Sequence, residues 1–190
     1  MRARLFGIIL RCLERRTPAP LVSLQLQILL SAAARAFGAP GKRIWRLPMS
    51  EALQEYAEFT HMHTSLPHID PRRLSETYYA LGSLLRRITG FTEAGELQRL
   101  IFYLYRNIRI AMTGRIPGEI TVSACYFSHF YSADQCRLMA YADSGFIAGL
   151  YGGGHLEFSA RLTEGCGRCA ACFYSADDNN RGGTLYERHP

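Results

Sequence analysis

The chain has 190 residues, of which 48% are apolar and 20% charged, which excludes a disordered, collagenous or wholly coiled-coil protein. That length makes one domain and buries enough surface to hold a core without disulfides. The net charge of +6 is lopsided: residues 1–48 carry nine Arg or Lys and one acid, Glu14, whereas residues 49–190 carry thirteen bases and fifteen acids. Lys42 is the single lysine among the 22 basic residues; no nucleic-acid-binding fingerprint accompanies the arginines, so nucleic acid is not an expected partner.

Leu5 to Leu10 is too short for a signal-peptide core and is interrupted by Arg11, Glu14, Arg15 and Arg16. Leu21 to Ala34 contains Gln25 and Gln27 and falls short of a bilayer span. No transmembrane helix is expected, and the protein reads as cytoplasmic. Pro18 and Pro20 divide residues 1–48 into two basic amphipathic segments. These read as helices packed on the domain or on a second subunit, or as a peripheral contact with a membrane or a protein. A homo-oligomer is expected. Met49, just before Ser50, is a candidate alternative start of translation.

Ser50 is the expected N-cap of the first well-patterned helix, with Leu53, Tyr56, Ala57 and Phe59 on its apolar stripe. After the break at Pro67 and Pro71, Asp70 or Ser75 caps a second helix, whose stripe is Leu74, Tyr78, Leu81, Leu85 and Ile88. Glu93 to Met112 repeats that form with Leu97, Leu100, Ile101, Leu104, Ile108 and Ala111. Gly114, Pro117 and Gly118 then punctuate the chain. Ile120 to Phe127 alternates and reads as a strand. Ser132 or Asp134 caps a helix that runs to Leu150 and ends at Gly152-Gly153-Gly154. Leu156 to Thr163 alternates as a half-buried strand, Ala170 to Tyr174 is a last short strand, and residues 177–190 form a polar tail expected to be mobile. The expected fold is α+β: a helical N-terminal half packed on a small, mostly antiparallel β-α-β-β half. Its body is residues 49–176, preceded by the basic segment 1–48.

Six cysteines in a chain without a recognised secretory signal are not primarily a disulfide framework. Cys12 reads as a small apolar packing residue. Cys166, Cys169 and Cys172 form a C-x2-C-x2-C run, a spacing used to hold zinc or an iron–sulfur cluster. A fourth ligand would come from Cys125, Cys136 or His129. The alternatives are one packing cysteine with two on a turn, or a redox or nucleophilic thiol. Cys136 and Asp143 lie seven residues apart and share a helix face with Ala140, Ile147 and Leu150. An acid on an apolar stripe must be paired, protonated or working; Arg161 and the Gly152–Gly154 backbone are the available partners. Arg161 could also hold a substrate carboxylate. His129, four residues after Cys125, either ends the strand or serves a thiol as general base. His61 and His63, at i and i+2, do not share a helix face and are poor chelators. The glycine triplet lacks the spacing of a phosphate loop.

Taken together, Cys125-Tyr-Phe on a strand, Cys136 and Asp143 on a helix, Leu156-Glu-Phe158, Leu162-Thr-Glu-Gly165 and a cysteine followed by Phe173 make a recognisable series. It resembles the L-2-amino-thiazoline-4-carboxylic acid hydrolase-like family over residues 120–173, and more loosely over 50–175. The resemblance implies hydrolysis of a C–N bond in a small cyclic amidine or amide. Asp143 would be the base, Cys125 and Cys136 nucleophile or ligands, and Arg161 and Glu164 would bind the substrate. This chain departs from the pattern in having three cysteines where the family has one, which keeps a metal- or cluster-binding protein as the alternative reading.

Overall fold

A computed structural model of the chain describes residues 2–15, 17–66 and 69–176; the tail 177–190, expected to be mobile, lies outside the described residues. Five helices come first: α1 (Arg2–Arg15), α2 (Ala19–Phe37), α3 (Met49–Thr64), α4 (Pro71–Thr89) and α5 (Ala94–Asn107). Two strands come next, β1 (Ile110–Gly114) and β2 (Gly118–Cys125), then α6 (Ala133–Tyr151), β3 (Gly154–Ala160) and β4 (Cys169–Ser175). The fold is α+β, as the sequence implies.

The helix ends obey local chemistry. Asp70 caps α4 by accepting from the Arg72 amide at 2.9 Å. Ser132 and Gln135 form a reciprocal capping box at the start of α6. The Gln135 amide also donates to His61 O at 2.8 Å and Ser65 Oγ at 2.7 Å, tying α6 to the end of α3. The start of α3 differs from expectation: it begins at Met49, with Pro48 in the cap position and no side-chain cap from Ser50.

Helix α2 is longer than its apolar stretch suggests, and by length and composition it is long and apolar enough to cross a membrane. One side of it nevertheless faces protein. Val22, Leu26, Leu30 and Ala33 are buried in the same core as Leu53, Leu74 and Ile101. Gln25 and Gln27, on its two flanks, bond the Leu104 carbonyl and the Ile44 amide. The core therefore does not stop at residue 48.

Helices α4 and α6 meet backbone to backbone. A Cβ on Gly145 would lie 2.2 Å from Ser75 O, and one on Gly149 2.2 Å from Tyr79 O. Gly82 gives the same clearance on the α4 side, where a Cβ would meet Phe146 O at 2.2 Å. No side chain larger than hydrogen fits at these crossings. The contact sets how deeply α6, and Asp143 on it, sits among the helices.

The sheet is antiparallel in the order β1-β2-β4-β3. β1 corrects the helical reading of residues 108–112. Helix α5 stops at Asn107, and Arg109 adopts a left-handed conformation at φ 59°. Ile108 suits either period, with Ala111 for a helix and with Ile110 for a strand, and pairing with the open edge of β2 decides for the strand. Tyr126 and Phe127, read as strand, form a 3-10 turn instead. Residues 162–164, of which the first two read as strand, form a second one.

Two bulges lie at one end of the sheet. Ala111 and Met112 pair with Ala124 and Val122, which leaves Ser123 as an extra residue in β2. Phe158 and Ala160 pair with Ala171 and Ala170, which leaves Ser159 extra in β3. Each extra residue reverses the inward–outward alternation of the rest of its strand. On β2 this turns Cys125 to the inner face, opposite buried Ile110, and leaves Ala124 exposed.

Candidate functional site

Asp143 lies on the inner side of α6 and is half-buried by surface area. Its Oδ1 accepts a 2.7 Å hydrogen bond from the Tyr105 hydroxyl of α5. Neither expected partner is used: Arg161 and the glycine turn give way to a phenol. Burial pushes the carboxyl up to about 6, against the lowering effect of the Tyr105 bond. Oδ2 has no hydrogen-bond partner among the described residues.

Around this carboxylate stand more phenols. Tyr56 and Tyr78 share a hydrogen bond of 3.1 Å, and Tyr78 donates to the Leu29 carbonyl at 3.2 Å. Tyr131 bonds the Thr60 hydroxyl at 2.5 Å. Burial raises the pKa of Tyr56, Tyr78, Tyr105 and Tyr131, and the Asp143 charge raises each further. All four are neutral donors at any ordinary pH. The sequence places Tyr56 and Tyr78 on apolar stripes but does not connect them to Asp143. Tyr105 lies off the stripe expected for its helix, although Leu97, Ile101 and Tyr105 succeed one another at steps of four.

Three cysteines adjoin the same region. Burial pushes the Cys125 thiol up to about 12, despite amide contacts from Phe127 and Ser128 that favour the thiolate. Burial also raises Cys136, which lies beside the Thr163 hydroxyl, and Cys169, whose sulfur accepts from the Leu162 amide at 3.3 Å. The Asp143 charge raises all three further. Thiols in this state are protonated near neutrality, the opposite of an activated nucleophile. His129 does not change this, because it is exposed at the end of its 3-10 turn.

Arg161 lies just beyond the β3 bulge. Its side chain is only 15% exposed and stacks 4.8 Å over Phe158, with one guanidinium nitrogen 3.5 Å from Glu164. Its Nε is buried and lacks a hydrogen-bond partner among the described residues. Glu164 is held from the other side by Arg137 at 2.8 Å, and Arg137 reaches Asp134 at 2.7 Å. Glu164 thus orients arginines.

The cysteine run is not a ligand set in this arrangement. Cys166 is exposed ahead of β4, and Cys169 and Cys172, three residues apart on a strand, point to opposite faces. Cys172 stands on the outer face between Glu119 and Glu157. Among the described residues no group of three or more His, Cys, Asp or Glu side chains converges as metal ligands. Zinc and iron–sulfur binding through this run therefore do not fit. Cys12 is exposed rather than packed. His63 is turned to the Phe59 carbonyl at 2.7 Å and stacks on Phe37.

Two open grooves, of about 570 and 630 Å³, lie elsewhere, one between α1, α5 and β1 and one at the end of α4. Neither is lined by Asp143, Arg161 or the site cysteines. No family model, curated protein or solved structure matches this chain.

Proposed function

We propose that this protein is a hydrolase acting on a C–N bond of a small cyclic amidine or ring amide, with Asp143 as general base. The observation that carries the reading is Asp143 itself, a carboxyl held at about 6 by burial, with one oxygen fixed by Tyr105. A base poised near neutrality is what proton abstraction from water requires. The resemblance to the aminothiazoline-carboxylate hydrolase-like family supports the same reaction class.

Asp143 Oδ2 takes a proton from water as the water oxygen adds to the ring amidine carbon. The ring C–N bond then breaks, and the proton held by Asp143 passes to the departing nitrogen. Water is consumed and the carboxylate is restored. Tyr105 fixes the orientation of the base and tempers its pKa. Arg161, its guanidinium flattened on Phe158 and oriented by Glu164, binds a substrate carboxylate through its planar fork of donors. The protonated cysteines shape the wall.

The test is turnover of a panel of cyclic amidines and ring amides by the wild-type protein and by Asp143→Asn. Wild-type kcat/KM should rise through about pH 6 and then level, and Asp143→Asn should lose about 100-fold or more. Full activity in Asp143→Asn, or a flat profile from pH 5 to 7, would overturn the assignment.

A further inference from the structure

We propose that α1 docks the protein on an anionic membrane surface. The helix has two apolar sides. Leu10 is buried, and Phe6 and Leu13 pack against the core, so one side is already spoken for. The second side carries Leu5, Ile8, Ile9 and Cys12, at i, i+3, i+4 and i+7, and all four are exposed. Leu5 is 58%, Ile8 55% and Ile9 40% exposed. A helix that faced only water on that side would carry polar residues there.

Charge identifies the occupant. Arg4, Arg11 and Arg15 stand at i, i+7 and i+11, a single line along the helix beside the apolar stripe. All three are exposed, and none has an acidic partner among the described residues. The one acid of residues 1–48, Glu14, turns toward Arg99 at 3.6 Å, away from that line. An apolar strip edged on one side by unpaired arginines matches a bilayer interface, where the strip enters the acyl boundary and the guanidinium groups reach lipid phosphates.

The test uses the full chain and sedimentation with vesicles, either pure phosphatidylcholine or containing one-third phosphatidylglycerol, at 0.1 M salt. The expected result is binding to the anionic vesicles only, reversed by 1 M salt. The triple variant Arg4→Gln, Arg11→Gln, Arg15→Gln should bind about 100-fold more weakly. The pair Leu5→Gln, Ile8→Gln should lose about tenfold or more. These side chains are exposed, so both variants should keep the wild-type Tm. Absence of vesicle binding, equal binding to both compositions, or an unaffected arginine variant would each overturn the proposal. So would a wild-type dimer in analytical ultracentrifugation that the Leu5, Ile8 variant dissolves without vesicle binding, since the face would then belong to a second copy.

Discussion

Replacing Asp143 with Asn should make the protein more stable at neutral pH, and the gain should depend on pH. The folded protein holds the Asp143 proton more tightly than the unfolded chain does, because its pKa rises from 3.8 to about 6. The stability linked to this group is therefore complete below pH 4 and is lost as pH rises through 6. At about 1.4 kcal/mol per pH unit, the ionised carboxylate costs about 3 kcal/mol at pH 7.5, or about 2 once its partial exposure is allowed for. Asn keeps the acceptor for Tyr105 and removes the charge, so Asp143→Asn should avoid that cost. Urea unfolding of both proteins at pH 4 and pH 7.5 reads the difference, and every other acid cancels between them. The variant should match the wild type at pH 4 and exceed it by about 2–3 kcal/mol at pH 7.5. A constant difference, or a variant less stable at pH 7.5, would refute the burial argument.

Removing the Tyr105 hydroxyl should act in the opposite direction on the site. Tyr105→Phe removes the bond that lowers the Asp143 pKa, so the rising limb of kcat/KM should move above pH 6. Stability at pH 7.5 should fall by about 1.5–3 kcal/mol in denaturant titrations. Gly145→Ala and Gly149→Ala drive a methyl to 2.2 Å from an α4 carbonyl oxygen and should each cost about 1–3 kcal/mol. Gly95→Ala, exposed on α5 with nothing within 4 Å, should stabilise by about 0.5–1 kcal/mol, and thermal melts separate the cases. Arg161→Lys removes the planar fork over Phe158, and should raise KM for carboxylate-bearing substrates about tenfold with a smaller change in kcat. In a thiol-modification time course at pH 7.5, Cys12 and Cys166 should react fast and Cys125, Cys136 and Cys169 slowly.

Where the sequence carries its own boundary chemistry, it is legible. Asp70, one of two cap candidates for α4, and Ser132, one of two for α6, mark helix starts that hold in the fold. Asp143 stands out in the sequence as an acid on an apolar face, and it occupies one. The failures share a cause, in that tertiary pairing decides what local pattern leaves open. Ile108 and Ala111 continue a helical stripe until β2 requires a neighbour. Cys125 is singled out in the sequence without a face assigned to it; strict alternation would put it outward, and the extra Ser123 turns it inward. The Cys166–Cys172 run has metal-site spacing, but the strand that the sequence marks from Ala170 begins already at Cys169, which separates Cys169 and Cys172 onto opposite faces.

The two bulges connect these failures to the site. Both lie at the end of the sheet that presents Cys125, Cys169 and Arg161. A bulge disrupts the ladder and leaves a residue unpaired, so it persists where re-aiming a side chain matters more than regular pairing. Asp143 shows the same balance: Asn would accept from Tyr105 equally well without the cost of a half-buried charge. A fold that kept this carboxyl only to anchor Tyr105 would gain stability by replacing it. A charged carboxyl where a neutral amide would serve the Tyr105 bond is the observation on which the proposed role of Asp143 rests, and the paired stability and turnover measurements on Asp143→Asn decide it. A variant that gains stability at pH 7.5 and loses turnover together would bind both arguments to the same group.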